Sequence, residues 1–309
     1  MFFIFVINLI AKVAVYSRKR RITSLDKKYK NIKFSVITIN YNNRKGLDST
    51  VQSVINQTYR DFEFIVIDGD SDDGSQETLA AYHDRIDRIV SEPDEGVYDA
   101  MNKGIMLATG DYLIFMNSGD TFYDDGTLAI YDEWVDGKGD VYYGNTLGLY
   151  NSGESLNVIQ PAQLTLSFWL FSSLNHQSTA IKRTLFSQYG FYDLRFKITS
   201  DWQFFMNLFF QHQCSFIYID EFLAKYDLHG ISSDSSHAVG HTRERENFIE
   251  NSYPHFWHEY IALKKIRYPE NKSRRLIHFE HLQQSRISYR LLKSFMDILL
   301  LFSPLKKEK

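Results

Sequence analysis

Between residues 34 and 116 the hydrophobic period of the chain switches back and forth between that of a buried strand and that of a helix, and few folds accept such a pattern. Residues 34–39 form a short continuous apolar run, Leu47, Val51, Val54 and Ile55 recur at helical spacing, and residues 62–67 form a second run. Apolar runs of this length suit strands covered on both faces, and the intervening helix supplies the crossover that parallel strands need. The alternation continues. Leu79, Tyr82 and Ile86 share a helical face, residues 86–90 make a weaker strand, Val97, Met101 and Ile105 mark a helix that Gly110 stops, and residues 111–116 return to strand. The expectation is an α/β fold with a mostly parallel, Rossmann-like sheet flanked by helices. Ligands of such sheets bind outside the carboxyl ends of the strands. The informative loops are therefore 40–44, 68–75, 92–96 and 117–120, and all four are polar and rich in Asp, Asn and Gly.

Composition narrows the function classes. The 309 residues include 35 basic and 38 acidic ones, a formal net charge of -3, so no global field recruits nucleic acid and none is expected as a partner. The one cysteine, Cys214, allows no intramolecular disulfide and no Cys-rich metal cluster. With 24 Phe and 20 Tyr the chain is unusually aromatic, which suits either a bulky core or surfaces that meet sugars and lipid.

The ends differ from the middle. Residues 1–16 are nearly all apolar and are followed by Arg18, Lys19, Arg20 and Arg21. The run falls short of the roughly 20 apolar residues of a spanning helix, and its charges follow it, opposite to a signal peptide. An interfacial helix with its basic cluster on anionic headgroups fits best, beside a short span or a buried N-terminal helix. Residues 287–305 carry Leu291, Leu292, Phe295, Met296, Ile298 and Leu299 between Arg290, Lys293 and Lys306, a second basic amphipathic segment or a helix packed on the domain or a partner subunit. Three parts follow: residues 1–31, a membrane-associating helix and basic linker; residues 32–235, the α/β domain, with halves at about 32–125 and 126–235; and residues 236–309, a helical C-terminal extension. In the second half, strands are expected at 140–143, 178–182 and 215–219 and helices at 128–135 and 201–211.

The sequence contains no GxGxxG or GxxxxGK[ST] phosphate loop. Four segments occur in order instead: Val36-Ile37-Thr38-Ile39-Asn40-Tyr41-Asn42, Ile67-Asp68-Gly69-Asp70-Ser71-Asp72-Asp73-Gly74-Ser75, Gly96-Val97-Tyr98-Asp99-Ala100-Met101-Asn102-Lys103-Gly104, and Phe115-Met116-Asn117-Ser118-Gly119-Asp120. Together they make residues 33–232 resemble the family 2 glycosyltransferases of GT-A fold. The resemblance implies an inverting enzyme that moves a sugar from a nucleoside diphosphate sugar, UDP-sugars favoured, to a glycan or polyprenyl-linked acceptor in cell-surface polysaccharide synthesis. The lone cysteine and the apolar, basic ends add the expectation of a peripheral protein at the cytoplasmic face of the membrane. The alternative is a non-catalytic sugar-nucleotide or glycan-binding module of a polysaccharide assembly complex. A nucleotidyltransferase would want a glycine-rich, basic loop after the first strand, and Asn40-Tyr41-Asn42-Asn43 is not one.

Site residues follow from the same resemblance. Thr38 and Asn40 match positions that contact the nucleoside. Asp68 matches the carboxylate that accepts from the base, a task suited to an acceptor-only group facing an imide N–H; a turn carboxylate is the competing role. Asn102 and Lys103 face the donor in the family, or lie on a solvated helical face here. Asn117-Ser118-Gly119-Asp120 aligns with the family's Asp-x-Asp element, which binds Mg²⁺ or Mn²⁺ on the donor diphosphate. Asn117 and Gly119 replace two usual carboxylates and leave Asp120, so Mg²⁺ or Mn²⁺ is still expected as cofactor but more weakly bound. Asp201 in Thr199-Ser200-Asp201-Trp202 becomes the candidate base, with Ser200 where the family shows Glu, and helix capping is its competing role. His176-Gln177 falls where acceptor-side polar groups occur. His229 matches a His that touches metal or diphosphate in some relatives, and imidazole is a competent ligand; a plain loop histidine is the other possibility.

Overall fold

A computed structural model describes residues 33–150, 153–228 and 238–268. The expected N-terminal anchor, the amphipathic segment at 287–305, the linker at 17–31 and His229 all lie outside these residues. Among the described residues no helix is long and apolar enough to cross a membrane.

The chain forms β1 (Phe34–Asn40), α1 (Arg44–Ile55), β2 (Phe62–Asp68), α2 (Ser75–Ala81), β3 (Arg88–Ser91), α3 (Val97–Leu107) and β4 (Tyr112–Phe115), the alternation that the apolar periods announce. β5 (Thr121–Phe122), α4 (Thr127–Trp134), β6 (Val141–Leu149), β7 (Ser155–Val158), α5 (Leu166–Phe171), β8 (Thr179–Lys182), α6 (Thr184–Tyr189), α7 (Ser200–Phe210) and β9 (Phe216–Asp227) follow. Helices α8 (Ala238–Ser252) and α9 (Pro254–Arg267) end the described chain. It divides into two compact units between Phe248 and Ile249.

One mixed sheet runs β3-β2-β1-β4-β8-β6-β9-β5, with β7 paired to β6. β3, β2, β1 and β4 are mutually parallel, so their carboxyl ends share one edge. β8 runs antiparallel between β4 and β6, which brings its beginning to that same edge. Every residue of β1 is buried, as a central strand under helices on both faces requires. Helix α3 crosses β1 so closely that a Cβ on Gly104 would lie 2.5 Å from Ile37 Cγ2.

Two strands exceed their sequence signal. β6 extends to Leu149 because Gly144 and Gly148 break its apolar run without ending the ladder, and its pairing with β9 shifts register around Asn145. β9 continues through Asp220 and Glu221 to Asp227. The helix expected through Ile86 stops at Ala81 and gives way to a single 3-10 turn over His83–Arg85.

The aromatic surplus builds core. Phe115, Phe186, Tyr192 and Phe204 form one knot, with Phe186 and Phe204 stacked at 4.5 Å. Trp169 meets Phe205, Phe209 and Phe216 in another. Rings of this kind bury large apolar areas each, in offset or edge-to-face contacts.

Candidate active site

The parallel register sets Asn40 beside Asp68 and Asp68 beside Ser91, one row at the carboxyl ends of three strands. Asp68 is fully buried, and its carboxylate is met by four donors: Asn40 Nδ2 at 2.7 Å, Ser71 Oγ at 2.6 Å, the Ser71 N–H at 3.0 Å and Ser91 Oγ at 2.8 Å. Burial alone would raise its pKa. The hydrogen bonds from Ser71, Asn40 and Ser91 outweigh burial and hold the carboxyl below its ordinary value. The same network fastens the loops after β1 and β2, because Ser71 Oγ also receives the Asn42 N–H and Asn42 Oδ1 receives the Asp72 N–H. Asn42 and Asp70 hold left-handed backbone, φ 47° and 63°, which their short polar side chains tolerate better than most.

The fourth loop belongs to the same edge. Met116 N donates to Ile37 O and Ser118 N to Ile39 O, carrying the pairing of β4 with β1 past the end of β4. Across this loop lies the turn before β8. Gln177 Nε2 donates to Asp120 Oδ2 at 3.0 Å, and His176 Nε2 stands 3.1 Å from Asn117 Nδ2. The other ring nitrogen, His176 Nδ1, is 3.2 Å from Asp201 Oδ2. With Nε2 accepting from Asn117, Nδ1 carries the proton and donates to Asp201.

Asp201 occupies the first turn of α7, where the helix N-terminus favours negative charge. Its side chain is 16% exposed. The Tyr98 hydroxyl, from the first turn of α3, lies 2.9 Å from Asp201 Oδ1 and 2.7 Å from Ile198 O, and the Trp202 N–H donates to Asp201 Oδ1 at 2.8 Å. Burial opposes the charged form here too. The His176 contact, with the Trp202 N–H and Tyr98 added, prevails and lowers the Asp201 pKa. Tyr98 is pushed well above its usual value, first by burial and then by the Asp201 charge, so it stays a neutral donor.

The structure thus brings Asn40 with Asp68, and Asn117, Asp120 and Asp201 through His176-Gln177. It separates the rest. Thr38 is fully buried inside β1, its hydroxyl without a partner, because the whole strand is covered. Asn102, expected to face a donor, clamps the loop at Tyr192: its Nδ2 donates to Tyr192 O at 2.9 Å and its Oδ1 receives the Tyr192 N–H at 3.0 Å. Lys103 is tied to Glu92 at 2.9 Å, Asp99 at 3.5 Å and Pro93 O at 2.8 Å. Tyr98 lies within one of the four segments, in Gly96-Val97-Tyr98-Asp99, yet nothing in that segment marks its hydroxyl as a partner of Asp201. His176 carries only a weak local signal, since nothing near it in sequence shows that an antiparallel strand delivers it to Asp201.

The donor chemistry suits a hard cation in part. Asn117 Oδ1 is buried without a partner, and Asp120 offers a carboxylate on the same loop, both oxygen ligands of the kind Mg²⁺ and Mn²⁺ take. Among the described residues no cluster of three or more His, Cys, Asp or Glu side chains could hold a metal. Such an ion would rest on few protein ligands.

The Asp68 network makes a definite stability prediction. A group whose folded pKa is lowered stabilises the fold above its unfolded pKa, about 3.9, and loses that contribution as pH falls through the folded value. Asp68→Asn should cost about 1–3 kcal/mol at pH 7 by urea unfolding, and its difference from the unsubstituted chain should shrink as the pH drops below about 4.

Known proteins share the fold and the family of this chain. Residues 35–210 match the family model described as glycosyl transferase family 2. A Mycobacterium bovis protein, named a PGL/p-HBAD biosynthesis glycosyltransferase, is 30% identical over 203 residues, covering 64% of this chain and 77% of the relative. Among solved structures, S. aureus TarS 1–349 in complex with UDP-GlcNAc aligns with TM-score 0.57 at 19% identity, over 71% of this chain and 65% of that one. The mannosyltransferase PcManGT from Pyrobaculum calidifontis, in complex with GDP-Man and Mn²⁺, aligns with TM-score 0.56 at 12% identity, over 99% of this chain and 95% of that one. The fold, the ordered loops and the matched family model lead to one assignment: this chain belongs to glycosyl transferase family 2 and is a glycosyltransferase.

Proposed function

We propose that this glycosyltransferase inverts configuration, with Asp201 as the base that activates the acceptor. One observation carries the reading. The Asp201 carboxylate is held ionised at the start of α7 by His176, the Trp202 N–H and Tyr98, and His176 also touches Asn117 of the loop aligned with the donor diphosphate. The proton of an acceptor hydroxyl passes to an Asp201 oxygen as the hydroxyl oxygen bonds to the anomeric carbon. The bond from that carbon to the diphosphate breaks on the opposite face, and its electron pair leaves with the phosphate oxygen. Asp120 and Asn117 would hold Mg²⁺ or Mn²⁺, which when bound offsets the charge of the diphosphate leaving group. Asn40 and Asp68 shape the nucleoside end by fixing the loops after β1, β2 and β3.

The donor class is a nucleoside diphosphate sugar. UDP-sugars come first and GDP-sugars second, in keeping with the two complexes among the fold neighbours. The acceptor is a glycan or polyprenyl-linked sugar of cell-surface polysaccharide synthesis, a reading supported by the apolar, basic chain ends. Those ends also support a peripheral place at the cytoplasmic membrane face.

The deciding experiment is donor hydrolysis across UDP-, GDP- and dTDP-sugars with Mg²⁺, Mn²⁺ or EDTA. One preferred donor, with turnover reduced by EDTA, is expected, and Asp201→Asn should lower that turnover by about 10²–10⁴-fold. Full activity in Asp201→Asn would remove the residue from the chemistry. Because the Asp201 pKa is lowered, the acid limb of the rate profile should lie below the ordinary carboxylate value. His176→Phe should move that limb to higher pH, since burial then faces fewer opposing hydrogen bonds. Deleting residues 1–21 and 287–309 should release the chain from membrane fractions at moderate salt; unchanged partitioning would contradict the membrane placement.

A further inference from the structure

The segment that leads into α7 has its own support, on a helix that the sequence resemblance does not reach. Helix α8 presents His241, Glu244, Arg245 and Phe248 at i, i+3, i+4 and i+7, the spacing of one helical face. Each of these meets the region around Asp201. Phe248 packs on Trp202 at 5.5 Å and on Phe196 at 6.1 Å between ring centroids. The Arg245 guanidinium stands 4.2 Å over the Trp202 ring, and its Nη2 donates to Trp169 O at 3.1 Å. His241 is held below its ordinary pKa first by burial and then by Arg245, with the Asp201 charge pulling the other way.

Glu244 makes the most specific contact. Its Oε1 receives the Lys197 N–H at 2.9 Å, and its Oε2 receives the Ile198 N–H at 3.1 Å, the Thr199 N–H at 3.1 Å and Thr199 Oγ1 at 2.9 Å. Three successive backbone donors and a hydroxyl therefore converge on one carboxylate. Thr199 is the N-cap residue of α7, yet its side chain makes no cap bond within the helix and turns to Glu244 instead. Ile198, whose N–H Glu244 holds, offers its carbonyl to Tyr98, the residue that also reaches Asp201.

We propose that Glu244 is a positioning residue for Asp201: by pinning residues 197–199 it sets where α7 begins, and so where the carboxylate stands relative to His176 and Tyr98. The proposal rests on Asp201 being the base. A charged acceptor binding several backbone N–H groups is among the stronger local restraints a protein makes. Misplacing a reacting group by about 1 Å can cost about 100-fold in rate.

The test compares Glu244→Ala, Glu244→Gln and Asp201→Asn in the full-length chain, using hydrolysis of the donor selected by the sugar-nucleotide panel and calorimetric binding of UDP or GDP to match. The expected result is a kcat about 100-fold lower in Glu244→Ala, with donor KM and nucleotide affinity within about twofold of the unsubstituted chain. Glu244→Gln, which keeps one carbonyl acceptor, should fall between. An unchanged kcat in both Glu244 variants while Asp201→Asn is inactive overturns the positioning role and leaves the base intact. Full activity in Asp201→Asn overturns the base and the positioning role with it. Parallel loss of kcat, nucleotide binding and melting temperature would mark Glu244 as general scaffold and also overturn the proposal; where Glu244→Ala fails to fold, Glu244→Gln decides by the same criteria.

Discussion

A carboxylate sealed at the edge of a sheet keeps its charge only when donors replace the water it has lost. Asp68 meets that condition with neutral groups alone: an amide, two hydroxyls and a backbone N–H, contributed by β1, β3 and its own loop. Removing any one of the loops would strip donors from a buried anion. The ends of three strands are therefore fixed by a single group, and the cleft they border inherits its shape from that group. The in-register pairing of Asn40, Asp68 and Ser91 makes this possible, since a shift of one residue would turn the side chains to the opposite faces.

Asp201 is organised on the same physical basis with a different outcome. It too is charged against burial by hydrogen bonds, yet it keeps partial exposure and one of its partners is an imidazole rather than a hydroxyl. Asp68 is saturated and suited to holding structure. Asp201 is bordered by a phenol from α3 and an imidazole from the turn before β8. Two aspartates with lowered pKa values thus differ by what surrounds them, one sealed among neutral donors and the other partly open beside an imidazole.

The alternation of apolar runs and helical faces disclosed the first half of the α/β domain because β1, β2 and β4 are short and almost wholly buried, while β3, at the sheet edge and partly exposed, carries the weaker signal. The second half was less legible where Gly144 and Gly148 interrupt β6 and where Asp220 and Glu221 sit within β9, since ladder pairing does not need an unbroken apolar run. At the site, sequence order drew attention to Asp68, Asp120 and Asp201. The Asp99–Lys103 pair, at i and i+4 of α3, is legible in the spacing, but the hold of Tyr192 on Asn102 and of Glu92 on Lys103 is not, because those partners come from outside the helix. Glu244, in the run Arg243-Glu244-Arg245-Glu246, has the sequence character of a solvated helical charge, and its role shows only in its contacts with three backbone N–H groups of a distant segment.

The reversed direction of β8 bears on how the protein acquires its chemistry in time. Strands β1, β2 and β3 pair with near neighbours in sequence and can collapse early, whereas β4 returns to β1 over a much longer stretch of chain. The His176-Gln177 turn reaches Asn117 and Asp120 only after about sixty intervening residues are looped out and β8 is inserted between β4 and β6. Contacts of such separation form late and slowly. A nascent or partly folded chain would therefore organise the loops after β1, β2 and β3 before it brings His176 to Asp201, and where Asp201 is the base proposed above, catalytic competence marks the completion of the sheet.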